Sequence, residues 1–253
     1  MGNYERHDTA KLSGTGVTKV LRAGHKAISE IKGLRRMVLR AVFLNYLIFL
    51  VATFLLNFLF FYFLLNPIIN FIFGRSEGFM AIIGTMILWS IQLTVASVIA
   101  FAALRFSVSL VNLWHQGLVE KVISHFRGIE ERTFSLKIWI TEVKYIFKEA
   151  FKAFSLPIIL FFIGFIPFVG LLIIFILESH LLGKECIIVY TDCLNDFDEA
   201  SELRRKLRWL PLRIGWLPAV LSFIPFLGWM FLPLSQTYQV IGFAFLAENS
   251  RKN

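Results

Sequence analysis

Arg35 and Arg36 follow Gly33 and Leu34 and stand just ahead of a long uncharged run. What such a pair can do is hold an anion, because guanidinium groups offer fixed forks of charge-assisted donors. Two uses are open. The pair can take an oxyanion beside a glycine that leaves the backbone accessible, or it can anchor a spanning helix at the cytoplasmic face with lipid phosphate as its partner. Other chemistry has less to work with. His7, His25, His115, His125 and His180 do not reach metal-ligand spacing on any one helix, and His115 and His180 read as satisfied polar positions near the interface. Cys186 and Cys193 lack CxxC spacing and a neighbouring His pair, so they read as small packing residues. The chain has no Ser-His-Asp pattern, no phosphate-cradling glycine loop and no Walker A motif. The expectation is a protein with no catalytic residues, no metal and no cofactor.

A second feature points the same way. FIPFVG at residues 165–170 recurs as FIPFLG at residues 223–228, each inside an uncharged stretch, 153–177 and 214–247. Proline cannot continue the preceding hydrogen-bond ladder, and the glycine after it can take a turn. The first stretch has 25 residues and the second 34, too many for one span and too few for two with a turn. Half-length helices of about 11 residues, roughly 16 Å each, fit the second. Pro167 with Gly170, and Pro225 with Gly228, are therefore predicted tips of two hairpins that enter the membrane and return. A simple proline kink in a spanning helix is the plainer alternative, but a hexamer written twice favours a repeated unit. Helix N-termini at such tips favour an anion.

The elements that must position these residues are those of a membrane protein: 57% hydrophobic residues, 28 Phe and only 17% charged residues exclude an ordinary soluble domain. The reading is all-α and a single membrane domain. Residues 1–40 form a basic N-terminus, within which 17–31 make an amphipathic helix for the membrane surface. Residues 41–104 hold two uncharged 26-residue spans, 41–66 and 79–104. Residues 105–155 hold a helical continuation toward Gly128 and an amphipathic helix at 136–154. The first hairpin follows at 156–182, a cytoplasmic helix at 183–213 and the second hairpin at 214–247. The first forty residues carry nine Lys/Arg and no apolar run, so they read as no cleavable signal peptide. Arg75 alone lies between the spans and eight Lys/Arg follow over 105–152, which puts the N-terminus and both ends of the first helix pair in the cytoplasm. The net charge of +9 suits anionic membrane lipids. Without a recognition module or base-stacking pattern it does not suit nucleic acid. The run Arg204, Arg205, Lys206, Arg208 follows five acidic residues that nearly cancel its field, as on a solvated helix.

The order of elements is similar to that of the bacterial CysZ sulfate permeases, over about residues 22–249. The resemblance rests on Gly24-His25-Lys26, Gly33-Leu34-Arg35-Arg36, Leu118 with Glu120, the first FIPFVG, and Tyr190-Thr191-Asp192 leading to Arg204 and Arg208. The chain departs from the permease pattern at Asn112-Leu113-Trp114-His115, at Cys193-Leu194 and at Gly228. The resemblance implies two long transmembrane helices, two hemi-penetrating hairpins, a homo-oligomer, and sulfate uptake across the inner membrane for cysteine synthesis. It makes Gly33, Leu34, Arg35 and Arg36 the sulfate-binding element. It also brings in Glu120 and Asp192, in a polar network with Arg105 or Arg204 near the cytoplasmic mouth, where a carboxylate would position an arginine rather than touch the anion. The wider group includes endoplasmic-reticulum proteins, and a scaffold binding lipids or partner proteins is the second reading.

Overall fold

Alternation of basic and small apolar residues at helical spacing makes α2 (Val17–Glu30) a two-faced helix: Val17, Val20, Ala23, Gly24 and Ala27 are buried, while Lys19, Arg22 and Lys26 are exposed. A short α1 (Thr9–Ser13) precedes it. These elements come from a computed structural model that describes residues 9–67, 79–128, 169–194, 196–224 and 227–251. The predicted helix at 136–154, Pro167 and Pro225 lie outside the described residues. Within that set every regular element is helical.

The α3 helix (Leu34–Leu59) widens into a π-helical turn at Phe60–Leu65, and α4 (Phe79–Arg127) returns beside it. One face of α3 carries Leu39, Phe43, Leu47, Leu50, Phe54 and Phe58, all exposed, an apolar stripe far larger than a soluble surface tolerates. The opposite face buries Val38, Ala41, Asn45 and Phe49. There the Ser107 hydroxyl of α4 donates to Asn45 Oδ1 at 2.8 Å, a buried polar clasp between two apolar helices. The α3 helix starts before the predicted span at 41, because Arg35, Arg36 and Arg40 are good helix formers that here stay exposed. At 49 residues α4 is about 74 Å long, more than twice the hydrocarbon core. Past Leu104 it runs through buried Leu118 and Val122 and stops at Gly128, whose φ of +64° supplies a left-handed cap.

The remaining described helices are α5 (Val169–Asp192), α6 (Phe197–Lys206), α7 (Leu210–Ser222) and α8 (Leu227–Asn249). The Asp196 side chain caps α6 by accepting from the amides of Asp198 and Glu199, and three basic residues fill its last turn. Pro211 sits in the first turn of α7, where its missing N–H costs no helical bond. Two glycine pairs then let backbones touch. A β-carbon on Gly183 of α5 would lie 2.0 Å from the Pro211 carbonyl oxygen, and one on Gly215 of α7 would lie 1.9 Å from that of Ser179. Between α2 and α8, Gly24 faces the Tyr238 carbonyl oxygen and Gly242 that of Val20 in the same way. The main core gathers where α2, α8, the far end of α4 and the second half of α5 meet, with Tyr190, Phe243, Leu34 and Leu118 fully enclosed. The Tyr190 and Phe243 rings meet edge to face at 5.6 Å.

Among the described residues three segments are long and apolar enough to cross a membrane: Leu34–Phe63, Ile82–Leu104 and Met230–Asn249. With its lipid-sized apolar faces, this is an all-α integral membrane protein. The third segment departs from the predicted pair of equal short arms. The α7 and α8 helices do lie side by side in opposite sense, since Gln239 of α8 donates to the Ile214 carbonyl and Gly228 abuts the Leu221 carbonyl. Their lengths, however, are 13 and 23 residues. The first ends at Ser222 and the second begins at Leu227, on either side of Pro225, and Pro233 is absorbed inside α8 rather than ending it. Likewise α5 is unbroken from Val169 to Asp192, across the boundary drawn at 182 between first hairpin and cytoplasmic helix.

Candidate functional site: an arginine pair at a helix start and a buried polar network

Gly33 makes the turn between α2 and α3. Its φ of +85° is left-handed, a conformation a side chain resists, and an added β-carbon would meet nothing within 4 Å. Strain, not crowding, therefore selects glycine here. Leu34 follows as a plug with no exposed surface, fixing the start of α3 in the core, so only its backbone faces the turn. Arg35 and Arg36 come next, both exposed, in a first turn that has no side-chain cap and no acidic residue. Uncapped amides, the positive end of a helix dipole and two guanidinium groups are thus concentrated at one place.

The other sequence candidates distribute differently. Arg204 and Asp192 come together: Arg204 Nη2 lies 2.5 Å from Asp192 Oδ1, and Arg204 Nε donates to Thr191 Oγ1 at 2.6 Å. Asp192 and Arg204 are each about two-fifths exposed, so this is a surface pair with a buried hydroxyl behind it. Glu120 is half-buried on α4, and the side chain of Arg105 lies outside the described set. Gly170 lies buried in the first turn of α5, and Gly228 in that of α8 packs against the end of α7. Among the described residues no group of three or more His, Cys, Asp or Glu could hold a metal ion.

A larger polar cluster was not anticipated. Glu248, near the end of α8, is 2% exposed and receives both forks of Arg127, from Nε at 2.9 Å and Nη2 at 2.6 Å, together with the Tyr190 hydroxyl at 2.7 Å. Burial alone would lower the Arg127 pKa, but the hydrogen bond and charge of Glu248 win and raise it. Burial first, then the Glu248 carboxylate, raise Tyr190 well above its ordinary value, so it stays a neutral donor. About three turns earlier on α8, Gln236 donates to Glu185 at 2.5 Å and Gln239 to the Ile214 carbonyl at 2.9 Å. His115 Nε2 lies 3.0 Å from Thr237 Oγ1, and complete burial lowers its pKa to about 4, leaving the ring neutral. Burial likewise pushes the Cys186 thiol up and leaves it inert. The signal was present as Gln236, Thr237 and Gln239 within an uncharged run, but a count of charges passes over amides and hydroxyls.

The class defined by these features is a helical membrane protein whose interior carries a buried polar spine and which sets an arginine pair at a helix start. The sequence model of the family described as Sulfate transporter CysZ/Etoposide-induced protein 2.4 matches residues 20–233, and the chain belongs to that family. No curated protein and no solved structure matches the chain. The matched range takes in most of α2, the Gly33–Arg36 turn, and α3, α4, α5, α6 and α7.

Proposed function

We propose that the protein is a permease or channel for sulfate or a related oxyanion, with one mouth of its path at Gly33, Arg35 and Arg36. Family membership supports transport as the class of function. The observation that carries the finer reading is the pairing of exposed Arg35 and Arg36 with an uncapped first turn behind a left-handed glycine. A sulfate dianion leaving water needs several charge-assisted donors at once, and this turn offers guanidinium and backbone donors with no carboxylate of its own. Arg204, held by Asp192 and Thr191, is the second cationic station. Asp192 positions it and does not meet the anion. In this reading the N-terminus is cytoplasmic, α7 and the turn after it enter the membrane only partway, the chains form a homo-oligomer, and the protein sits in the cytoplasmic membrane of a bacterial cell to supply sulfur assimilation.

The test is radiolabelled sulfate flux into liposomes that carry the full-length protein, beside the Arg35→Ala/Arg36→Ala variant and with sulfite as competitor. Saturable flux lost in the variant supports an oxyanion path through this turn. No flux above empty liposomes, from folded protein in either orientation, removes the permease reading and leaves a lipid- or partner-binding scaffold of the same fold.

A further inference from the structure

Between α2, α7 and α8 lies an open groove of about 670 Å³, a size common for sites that hold one amphiphilic ligand. Its floor and walls are apolar, from Leu21, Leu217, Leu221, Phe231 and Leu234. Polar groups gather at one end. Gly24 touches the backbone of Tyr238, so Arg22 and His25, within one turn of Gly24 on α2, flank the Tyr238 end of the lining. From there α8 runs about 10 Å to Phe231 with Ser235 as the one polar residue between in the lining. Arg22 and His25 are exposed, and neither makes a hydrogen bond or ion pair among the described residues. The next cation on the helix, Lys26, is by contrast engaged with Glu30 and with the Phe245 ring.

We propose that this groove is a binding site for one anionic phospholipid, its phosphate against Arg22 and His25 and one acyl chain laid along α7 and α8. A cationic end continuous with an apolar trough matches an amphiphile with a negative head, and α8, along which the trough runs, includes a segment long and apolar enough to cross a membrane. A second copy of the chain is a poorer occupant. An isologous contact sets the same patch on both partners, and the lining holds the Arg22 guanidinium with no carboxylate to answer it. The site is separate from the Gly33–Arg36 turn and does not depend on sulfate transport.

Native mass spectrometry of the full-length protein in mild detergent tests this, with palmitoyl-oleoyl phosphatidylglycerol and phosphatidylcholine added at equal concentration. One phosphatidylglycerol per chain is expected to be retained, at about tenfold preference over phosphatidylcholine, whose choline cation offsets the phosphate charge beside Arg22. Arg22→Ala/His25→Ala removes the preference and leaves weak binding of both lipids. Leu234→Trp, which fills the trough from a surface-facing position, removes both; Leu234→Phe weakens both should the larger ring disturb folding. Equal retention of phosphatidylglycerol by the wild type and both groove variants overturns the site. So does displacement of the lipid by inorganic phosphate alone, or an inter-chain crosslink through Leu234→Cys that forms whether or not lipid is present.

Discussion

Glu248 and Arg127 meet through two parallel hydrogen bonds of 2.9 and 2.6 Å, although 121 residues separate them, and the carboxylate is 2% exposed. They tie the last turn of α8 to the last turn of α4, with Tyr190 of α5 as the third member. A buried pair of this kind adds little over an apolar replacement, yet losing one partner strands the other. Glu248→Ala is therefore expected to cost about 3–5 kcal/mol, and Glu248→Met/Arg127→Met considerably less than that single change. Thermal midpoints of the purified variants in one detergent check this. A double variant as unstable as the sum of the two singles would refute the coupling.

His115 gives a pH dependence with a defined sign. In the folded protein burial lowers its pKa to about 4 from an ordinary 6.5, so between those values the unfolded chain binds a proton that the folded one does not. Stability from this residue is complete above pH 6.5 and is lost as the pH falls toward 4, a change of order 3 kcal/mol. Unfolding midpoints measured from pH 4 to 8 should fall more steeply on the acid side for the wild type than for His115→Gln. Parallel curves would show that the ring is protonated without penalty.

The Gly24–Gly242 contact predicts which glycines are tied to packing. A methyl group at Gly24 would sit 2.3 Å from the Tyr238 carbonyl oxygen and one at Gly242 1.9 Å from that of Val20, both backbone atoms that cannot swing aside. Gly242→Ala is expected to loosen α2 from α8 and cost about 2 kcal/mol or more. Gly117→Ala is the control, since nothing lies within 4 Å of that position, and there the helix should gain up to about 1 kcal/mol. Proteolytic release of the N-terminal segment, faster for Gly242→Ala and unchanged for Gly117→Ala, separates the two. Equal rates for both would contradict the crossing.

These contacts also show where a linear reading stops. Uncharged runs and basic flanks sufficed to place α3 and α4, because membrane thickness converts directly into run length. Gly33, Arg35 and Arg36 stood out as a glycine beside two anion-holding side chains, whereas the left-handed turn at Gly33 and the burial of Leu34 depend on how α2 and α3 pack. Glu248, Gln236 and Thr237 acquire partners 51 to 122 residues away, and nothing in their immediate surroundings names Arg127, Glu185 or His115. Gly24 was noticed as part of a motif with His25, but its role is a helix crossing visible only once α8 is in place. The break in the last uncharged run was read at Pro225 and Gly228, between helices that end at Ser222 and begin at Leu227, but their unequal lengths were not, because Pro233 is carried within α8 and the helix continues to Asn249.

Gly33 should separate backbone geometry from charge. At φ +85° any side chain but a small polar one is strained, by about 1–2 kcal/mol, with no steric contact to relieve. Gly33→Val is expected to reorient the first turn of α3 and lower sulfate flux while Arg35 and Arg36 remain in place; Gly33→Asn, tolerant of the left-handed region, should retain most of it. Flux of Gly33→Val equal to wild type would mean that this turn does not shape the anion's path.

The Asp192–Arg204 pair tests whether a carboxylate beside a proposed anion path is structural or positional. Both side chains are about two-fifths exposed, so the pair is worth at most about 1 kcal/mol and its loss should barely move the thermal midpoint. Thr191 still holds the Arg204 Nε in Asp192→Asn, but the second nitrogen is released to follow the anion. If Arg204 is a station on the path, Asp192→Asn should raise the affinity for sulfate and slow its exit, lowering both the half-saturating concentration and the maximal flux. Arg204→Gln should instead raise the half-saturating concentration. Flux curves for the two variants that superimpose on the wild type would assign the pair to holding α6 against α5 and nothing more.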